Sequence, residues 1–378
     1  MAQVKRIGAS GKYIKVGIFL AEIAIIAVML LVVWKVFQTT EKVEGPNIAD
    51  ISKDDIIINE PVKNNSQKQP TTGVATGSEA TEDVKSKGYW NIALLGVDAT
   101  KSEQLFKGSR SDTMMIASVN MDTGEIKLVS VYRDTYLNKG NDTYGKCNGA
   151  YSVNGAAQTM SMLNLNLDMD ITDFVTVNYH AVKECVDGMG GVYIDIDSEE
   201  LKHINNYQVS IIRDTDIPKS EYVELKETGY QKVNGLQAAA YCRIRQTKGS
   251  DFKRTERQRE VLKAMEVRAK QMSLAELTDL APKVLKYVYT NIDTGDILEL
   301  VKNVNNYSIV EEAGFPTESL RTTATLGKAK GSCVIPLDLE QNVVWLHEFL
   351  YGIEDYQVSD AVKECSRRIE KDTAPYLE

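Results

Sequence analysis

The 378-residue chain contains only three histidines and five cysteines, and neither residue type forms a recognisable site. The cysteines show no CxxC pair and no metal-site spacing, and their odd number leaves at least one thiol free or paired with another chain. Because the histidines are scattered, a histidine zinc site or a Ser-His-Asp triad has weak support. Cys333 and Cys365 are candidates for a disulfide bond, whereas Cys147, Cys185 and Cys242 lie in apolar contexts typical of a core.

Glycine-rich phosphate loops are also lacking. The chain has no GxxxxGK[ST] loop, and no GxGxxG follows a predicted strand, so nucleotide binding in either of these modes is unsupported. No period of internal repeats is present, which gives no indication of a solenoid or propeller.

Positive charge is concentrated in one stretch of this acidic chain, whose formal net charge is −9. Residues 241–258 read YCRIRQTKGSDFKRTERQ, and from Arg243 to Arg259 there are seven Lys or Arg against two acids, Asp251 and Glu256. Guanidinium groups bind phosphate oxygens in bidentate fashion, so this density indicates a focused anion site. The alternative is a solvated helical face with ion pairs, and this segment alone does not decide between the two.

Near the N-terminus, residues 14–37 form an apolar run long enough to span a bilayer, which needs roughly 20 residues. Lysines and arginines within residues 1–13 precede the run. This bias predicts a cytoplasmic N-terminus and an exported remainder, hence a single-pass protein of the cell membrane. A cleaved signal peptide is the competing interpretation, but no small-residue cleavage pattern follows, which favours an uncleaved anchor.

Beyond the predicted anchor, residues 38–88 are polar and contain several prolines, which is typical of a flexible extracellular linker. The remainder is large enough for one sizeable domain, expected over 89–355, with a C-terminal tail at 356–378.

Strand and helix patterns alternate in this domain. Apolar or β-branched runs predict strands at 90–97, 113–119, 126–132, 173–177 and 192–196, the second and third forming a hairpin. Helical patterns cover 154–165, 180–188, 236–243 and 252–272. The expected class is α/β, with a mixed central sheet flanked by helices.

Three predicted strands have charged residues at their ends. Asp98 follows the first, Arg110 and Asp112 stand at the start of the second, and Arg133-Asp134 follows the third. One aspartate at a strand end usually caps a turn, but alternating carboxylates and guanidinium groups indicate a polyanion site with a divalent metal. Magnesium binds through one or two carboxylates and substrate phosphate oxygens, a role that suits Asp98 and Asp112.

Six sequence blocks match one family in order: NIALLGVD, SRSDTMMIASVN, IKLVSVYRDT, KCNGAYSVNG, GMGGVYIDI and GLQAAAYCRIRQTKGSDFKRTERQ. Together they resemble the LytR-CpsA-Psr proteins over roughly residues 89–355. The chain departs from the usual pattern at Tyr132, where proline is common, at Cys147-Asn148-Gly149, which replaces Ile-Asn-Ala, and at Ser152-Val153-Asn154, where an aromatic residue and glycine are frequent. None of these departures removes a charged motif residue.

The resemblance implies a membrane-anchored phosphotransferase that moves a glycopolymer from a polyprenyl-pyrophosphate carrier onto peptidoglycan, with Mg²⁺ or Mn²⁺ as cofactor. It implies Asp98 and Asp112 as metal ligands and Asp112, Arg133 and Asp134 as catalytic residues. The implied pyrophosphate-binding residues are Arg110, Arg133, Arg243, Arg245, Arg254, Gln258 and, as a weaker candidate, Arg257. Teichoic acid, capsular polysaccharide and other wall polymers share the pyrophosphate linkage, so the polymer stays open.

Two features of the implied chemistry also stay open. The acceptor hydroxyl needs a base, and Asp112 and Asp134 are both candidates. The isoprenoid tail needs an apolar tunnel. Seven apolar residues are candidates for its lining, and the alternative is that they are ordinary core residues. These candidates are Met114, Met115, Met160, Met162, Leu163, Leu165 and Val177.

Three rival functions use parts of the same pattern. A scaffold or regulator that binds lipid phosphate would keep the arginines without the metal ligands, and a pyrophosphatase would use water in place of a sugar hydroxyl. A nucleic-acid-binding function is disfavoured, because the basic stretch lacks interleaved aromatic residues and the predicted topology exports it. The presence of both Asp98 and Asp112 favours an enzyme.

Overall fold

The computed structural model describes residues 47–60, 88–99, 105–106, 108–273, 276, 279–280, 283–284, 287–292 and 307–377. The predicted membrane anchor at 14–37 lies outside these residues. No helix in the described part of the chain is long and apolar enough to span a membrane.

A mixed sheet of seven strands forms the centre of the domain, in the order β1-β10-β7-β2-β3-β4-β11. Its strands are β1 (Asn47–Ile48), β2 (Tyr89–Val97), β3 (Ser111–Asn120), β4 (Glu125–Val131), β7 (Asp173–Val177), β10 (Val288–Thr290) and β11 (Ser308–Phe315). The β2-β3-β4 unit is antiparallel, whereas β7 and β11 run parallel to β2 and β4. The predicted α/β class with a mixed central sheet is confirmed.

Three two-stranded sheets and eight helices surround the central sheet in the described residues. The small sheets pair β5 (Tyr136–Asn138) with β6 (Tyr144–Lys146), β8 (Val192–Ile196) with β9 (Gly229–Val233), and β12 (Arg321–Thr325) with β13 (Ser332–Pro336). The helices are α1 (Gly149–Leu167), α2 (Tyr179–Gly188), α3 (Ser198–Asp214), α4 (Gly235–Tyr241), α5 (Ser250–Ala269), α6 (Gly327–Lys330), α7 (Leu339–Tyr351) and α8 (Asp360–Thr373).

Side chains that alternate along the central strands build two separate cores. In β2, Ile92 and Leu94 face the helices α2 to α5, whereas Ala93 and Leu95 face α1, α7 and α8. Because both sides of the strand are covered, it reads as a continuous apolar run. The domain therefore has three layers, with the central sheet in the middle.

Two predicted elements differ in the structure. The strand at 192–196 pairs with β9 outside the central sheet; its Tyr193 and Asp195 are exposed, as expected when only one face is covered. The predicted helix at 154–165 is the second part of α1, which is broken at Asn154 and Gly155. Gly155 has φ +60° and approaches the Phe106 carbonyl oxygen so closely that a Cβ would lie 2.1 Å from it.

Both ends of the described chain pack against the domain. Residues 47–60, assigned to the linker from sequence, supply β1 and the buried side chain of Ile56. Residues 356–377, expected as a tail, include α8, whose apolar side is buried in the core that contains α1. The packed domain thus extends beyond 89–355 on both sides, because apolar side chains of these two segments are buried in its core.

No disulfide bond joins any of the five cysteines, all of which lie in the described residues. Cys365 lies near Asn138, whereas the Cys333 thiol faces the carbonyls of Lys330 and Gly331. The disulfide considered for Cys333 and Cys365 is therefore not formed. Burial raises the pKa of both thiols, which disfavours the reactive thiolate.

Asp168 joins the two terminal segments. It ends α1 in the left-handed conformation (φ 51°), is buried, and accepts hydrogen bonds from the Ser359 amide (2.7 Å) and hydroxyl (2.6 Å). The Asn59 side-chain amide also donates to it. One carboxylate thus ties 47–60, α1 and α8 together.

We expect Asp168→Ala to lower the free energy of unfolding by about 2–4 kcal/mol, because buried donors lose a charged acceptor and alanine is strained at this φ. Urea denaturation followed by circular dichroism would measure the loss. Asp142→Ala is the matched control: Asp142 also has a positive φ (57°) but is exposed. Equal losses in the two variants would contradict a role for the buried network.

Candidate active site

The candidate site forms at one edge of the central sheet, where β2 ends, β3 begins and β4 ends. The antiparallel β3-β4 ladder ends at the pair Met115–Ser130, and both chains continue from there to the same edge, with Asp112 three residues before Met115 and Arg133 three residues after Ser130. Nη1 of Arg133 donates a hydrogen bond of 2.6 Å to Oδ1 of Asp112. The geometry of one β-ladder therefore joins two of the predicted motifs.

Helix α5 adds a buried arginine to this edge. Nη2 of Arg254 donates to the Asp112 backbone carbonyl (2.8 Å), and its Nη1 lies 3.8 Å from the Asp112 carboxylate. The Arg254 side chain is only 3 % exposed. Burial lowers its pKa, and the nearby carboxylates of Asp251 and Asp112 oppose this shift. The contact also docks the start of α5 on the sheet.

Asp251 lies at the centre of three arginines. Its Oδ1 is 3.0 Å from Nη2 of Arg254, 3.3 Å from Nε of Arg133 and 3.4 Å from Nε of Arg245. Within the described residues, neither carboxylate oxygen has an aligned hydrogen-bond partner, and the Nε atoms of all three arginines are also buried without one. The cluster is therefore ion-paired but retains unused hydrogen-bonding capacity.

Asp98 and Asp134 also lie near this cluster, Asp134 within 4.0 Å of Arg133. The Asp98 amide donates to the Arg110 carbonyl (3.3 Å). Desolvation raises the pKa of the Asp98 carboxyl, with Arg243 opposing the shift and Asp112 adding to it. The Asp134 carboxylate pairs with Lys146 at 3.2 Å. Carboxylates and cations thus alternate along the edge, as the strand-end pattern predicts.

A cavity of about 310 Å³ lies between the sheet and helices α2, α4 and α5 and reaches the charged edge. This size falls within the range of roughly 300–1,000 Å³ typical of ligand pockets. At the charged edge its polar lining includes Asp112, Arg243, Arg245, Arg254 and Gln258. Away from it the lining is mainly apolar, and includes Val175, Val182, Val261, Leu262, Met265 and Val288. The cavity is therefore amphipathic, with a charged end at the sheet edge and an apolar interior.

Contacts among the surrounding residues determine the shape of the cavity. Arg259, on α5, donates to the Ser130 hydroxyl (2.9 Å), which fixes the helix over β4. Gly96 lines the cavity beside Thr113, where a Cβ would lie 2.8 Å from the threonine Cβ, so a larger residue would displace β3. The Arg243 guanidinium stacks 4.7 Å from the Tyr179 ring centroid, which narrows the charged end.

Only two of the seven tunnel candidates line this cavity, Met115 and Val177. The others lie in or against the core on the opposite side of the sheet: Met114, Met160, Met162, Leu163 and Leu165. They are ordinary core residues, because successive side chains of a strand face opposite sides and α1 covers the other side.

The structure brings most of the predicted site residues together. Asp112, Arg133, Arg254 and Arg245 share contacts with one another or with Asp251. Gln258 lines the cavity with its Oε1 buried and without a hydrogen-bond partner in the described residues. The Arg110 side chain is exposed at the edge.

Arg257 occupies a different position from the one predicted. It is 1 % exposed and does not line the cavity. Its Nε donates to Glu200 (2.7 Å), while Nη1 and Nη2 donate to the Ile244 carbonyl and the Thr247 hydroxyl. All its nitrogens thus serve protein acceptors, so the prediction of pyrophosphate binding is corrected to a structural role that holds the loop before α5.

Sequence reasoning missed three contributors, Asp251, Tyr179 and Lys146. Asp251 is an acid inside the basic stretch, and Tyr179 stands two residues after the predicted strand at 173–177, a position near the sheet edge. Lys146 had no such signal, since only the β5-β6 hairpin brings it to Asp134.

A divalent metal at this edge would need oxygen donors from the protein. No group of three or more His, Cys, Asp or Glu able to hold a metal occurs in the part of the chain that the structure describes. The charge of Asp112 contributes to the raised pKa of Asp98, so the two carboxylates interact electrostatically. A pair of carboxylates is a donor set that fits Mg²⁺, which uses few protein ligands together with substrate phosphate oxygens.

Comparison with known proteins places these residues in context. A family model described as the LytR_cpsA_psr family matches residues 49–331. The polyisoprenyl-teichoic acid–peptidoglycan teichoic acid transferase TagV of Bacillus subtilis is 30% identical over 219 residues, 56% of this chain and 51% of TagV. The transferase TagT of the same organism is 26% identical over 254 residues, 66% of this chain and 75% of TagT. The chain thus spans about half the length of TagV.

Among solved structures, the crystal structure of B. subtilis TagV has a TM-score of 0.54 at 24% identity, covering 72% of this chain and 99% of that one. This likeness supports the three-layer fold.

For Arg257→Ala we expect a loss of about 3–5 kcal/mol in the free energy of unfolding, because the buried Glu200 carboxylate is left without its partner. Arg245→Ala should cost less than about 1 kcal/mol, since the Arg245 side chain is 39% exposed. Chemical denaturation of both variants would measure the difference. Equal stabilities would show that Arg257 does not hold the fold as described.

Proposed function

The chain belongs to the LytR_cpsA_psr family, and from this we propose that it transfers a glycopolymer from a polyprenyl-pyrophosphate carrier to a hydroxyl of the cell wall. Relatives whose names describe teichoic acid transfer from a polyisoprenyl carrier to peptidoglycan support the donor and acceptor classes. The predicted anchor at 14–37 would hold the domain on the outer side of the membrane, where both are found.

The amphipathic cavity is the observation that carries this proposal. A polyprenyl-pyrophosphate donor has an apolar chain and an anionic head, and the cavity has an apolar interior and a cationic end. Burial of the chain would supply affinity, and the arginines would place the phosphates at the sheet edge. A nucleotide or a free sugar would leave the apolar interior unmatched.

The proposed reaction breaks one phosphoanhydride bond. The acceptor hydroxyl oxygen attacks the phosphorus next to the sugar, a new phosphodiester bond forms, and polyprenyl phosphate leaves with the electrons of the broken P–O bond. Arg133 and Arg254 stabilise the charge that develops on the phosphate oxygens. The hydroxyl proton passes to a carboxylate beside Arg133, for which Asp112 and Asp134 are the candidates.

Asp98 and Asp112 are the proposed ligands of a magnesium or manganese ion, with Arg110 at the exposed rim. When bound, such an ion supplies fixed positive charge beside the donor phosphates. The remaining cationic contacts would come from Arg243, Arg245 and Arg254, while Gln258 offers an amide to the phosphates at the cavity mouth.

The direct test supplies the full-length chain with polyprenyl-pyrophosphate-linked saccharide, peptidoglycan fragments and Mg²⁺. We expect a phosphodiester-linked adduct and released polyprenyl phosphate by mass spectrometry, both abolished by EDTA. Asp112→Asn should lower turnover by roughly 100-fold or more, because a charged group at the reacting phosphate is lost.

Asp122→Asn removes an exposed carboxylate from the β3-β4 turn and serves as the matched control, with turnover unchanged. Polyprenyl phosphate without adduct would indicate a pyrophosphatase instead. Tight donor binding with neither product would indicate a lipid-phosphate-binding scaffold or regulator.

The cavity itself can be tested by filling it. Val261→Phe places extra carbon atoms into the apolar lining, whereas Val267→Phe adds them to an exposed position of the same helix. We expect KM for a long-chain donor to rise at least about tenfold in the first variant only, since overpacking costs on the order of 1–3 kcal/mol. Unchanged KM values in both variants would place the lipid elsewhere.

A further inference from the structure

The carboxylate of Asp251 is buried among the cations that would receive the donor. Its side chain is 11 % exposed, and it contacts Arg133, Arg245 and Arg254 through the same Oδ1 atom. Of these three arginines, Asp112 contacts Arg133 and Arg254 in the described residues. Asp251 is therefore the group shared by all three guanidinium groups.

These three contacts are ion pairs, but their atoms are not aligned for hydrogen bonds. Arg133, Arg245 and Arg254 each keep a buried Nε without an aligned acceptor in the described residues, and both Asp251 oxygens lack an aligned donor there. Charge-assisted hydrogen bonds are strongest when donor and acceptor are aligned. A phosphate group, which has more oxygens and a larger charge than a carboxylate, can align with these donors better than Asp251 does.

Three guanidinium groups held close together also repel one another. Asp251 reduces this repulsion and keeps the arginines near one point, and its negative charge simultaneously opposes any incoming anion. A transferase must release its polyprenyl phosphate product after each turnover, so a site of uncompensated arginines would retain this product.

We propose that Asp251 is a resident counter-ion of the anion site, which positions Arg133, Arg245 and Arg254 and weakens the binding of phosphorylated lipid so that product is released. This inference deepens the proposed function and rests on it. Asp251 acts through the arginines as a positioning residue and has no direct part in the bond changes.

Removal of the charge should therefore tighten binding. In titration calorimetry of the full-length chain in detergent with EDTA, Asp251→Asn should bind geranylgeranyl phosphate roughly tenfold more tightly than the unmodified chain, because a buried like charge no longer opposes the phosphate. Geranylgeraniol, which has the same chain without phosphate, should bind both proteins equally. Glu256→Gln removes an equal charge from an exposed position of α5 and should leave both affinities unchanged.

Equal or weaker binding of the phosphate by Asp251→Asn would overturn the inference, and so would a parallel change for the alcohol, which would report an altered cavity. Asp251→Ser removes the same charge with a smaller side chain and decides the question if the asparagine variant does not fold. Since the titration involves no transfer, tighter binding could be observed even if the transfer assay gave no adduct. The two proposals can therefore fail separately.

Discussion

The pairing of β3 with β4 is the constraint on which the candidate site depends. It brings Asp112 and Arg133 to one edge, where their side chains hydrogen-bond, and Arg254 of α5 donates to the Asp112 carbonyl. With its N-terminal part held there, α5 covers the sheet with Val261 and Met265 and encloses the cavity. A register shift of one residue would turn Asp112 to the other side of the sheet and remove both contacts. The geometry of the candidate site and the shape of the cavity thus depend on the same strand pairing.

The two sides of the central sheet are packed differently. On the side of α1, α7 and α8 the core is closed and joined to the chain ends through Asp168. On the side of α2 to α5 the core encloses the cavity, whose cations are gathered at the strand ends. Ligands of open α/β sheets commonly bind where strand ends and their loops converge. The charge balance at that point, set by arginines and by Asp251, would govern both the capture and the release of a phosphorylated lipid.

Local sequence predicts the strands and the shared edge, because buried strands are apolar and their charged ends stand out. The family resemblance, rather than local pattern, points to Arg254 and Gln258, which are one helical turn apart and both line the cavity. Residue type alone does not distinguish Arg257 from Arg254. Arg257 immediately precedes Gln258, and this difference of one position rotates its side chain by about 100° around the helix, towards Glu200. The lining of the cavity was not predictable residue by residue, since strand alternation separates Met114 from Met115 without showing which side of the sheet has the cavity.

Photo-crosslinking tests most directly whether the cavity receives the lipid. A polyprenyl phosphate with a diazirine near the end of its chain would be irradiated with the full-length protein, and the labelled peptides identified by mass spectrometry. The account predicts labels on the apolar lining, at Val261, Met265 or Val288, which an excess of unlabelled polyprenyl phosphate suppresses. Labels confined to exposed residues, or insensitive to competition, would contradict it.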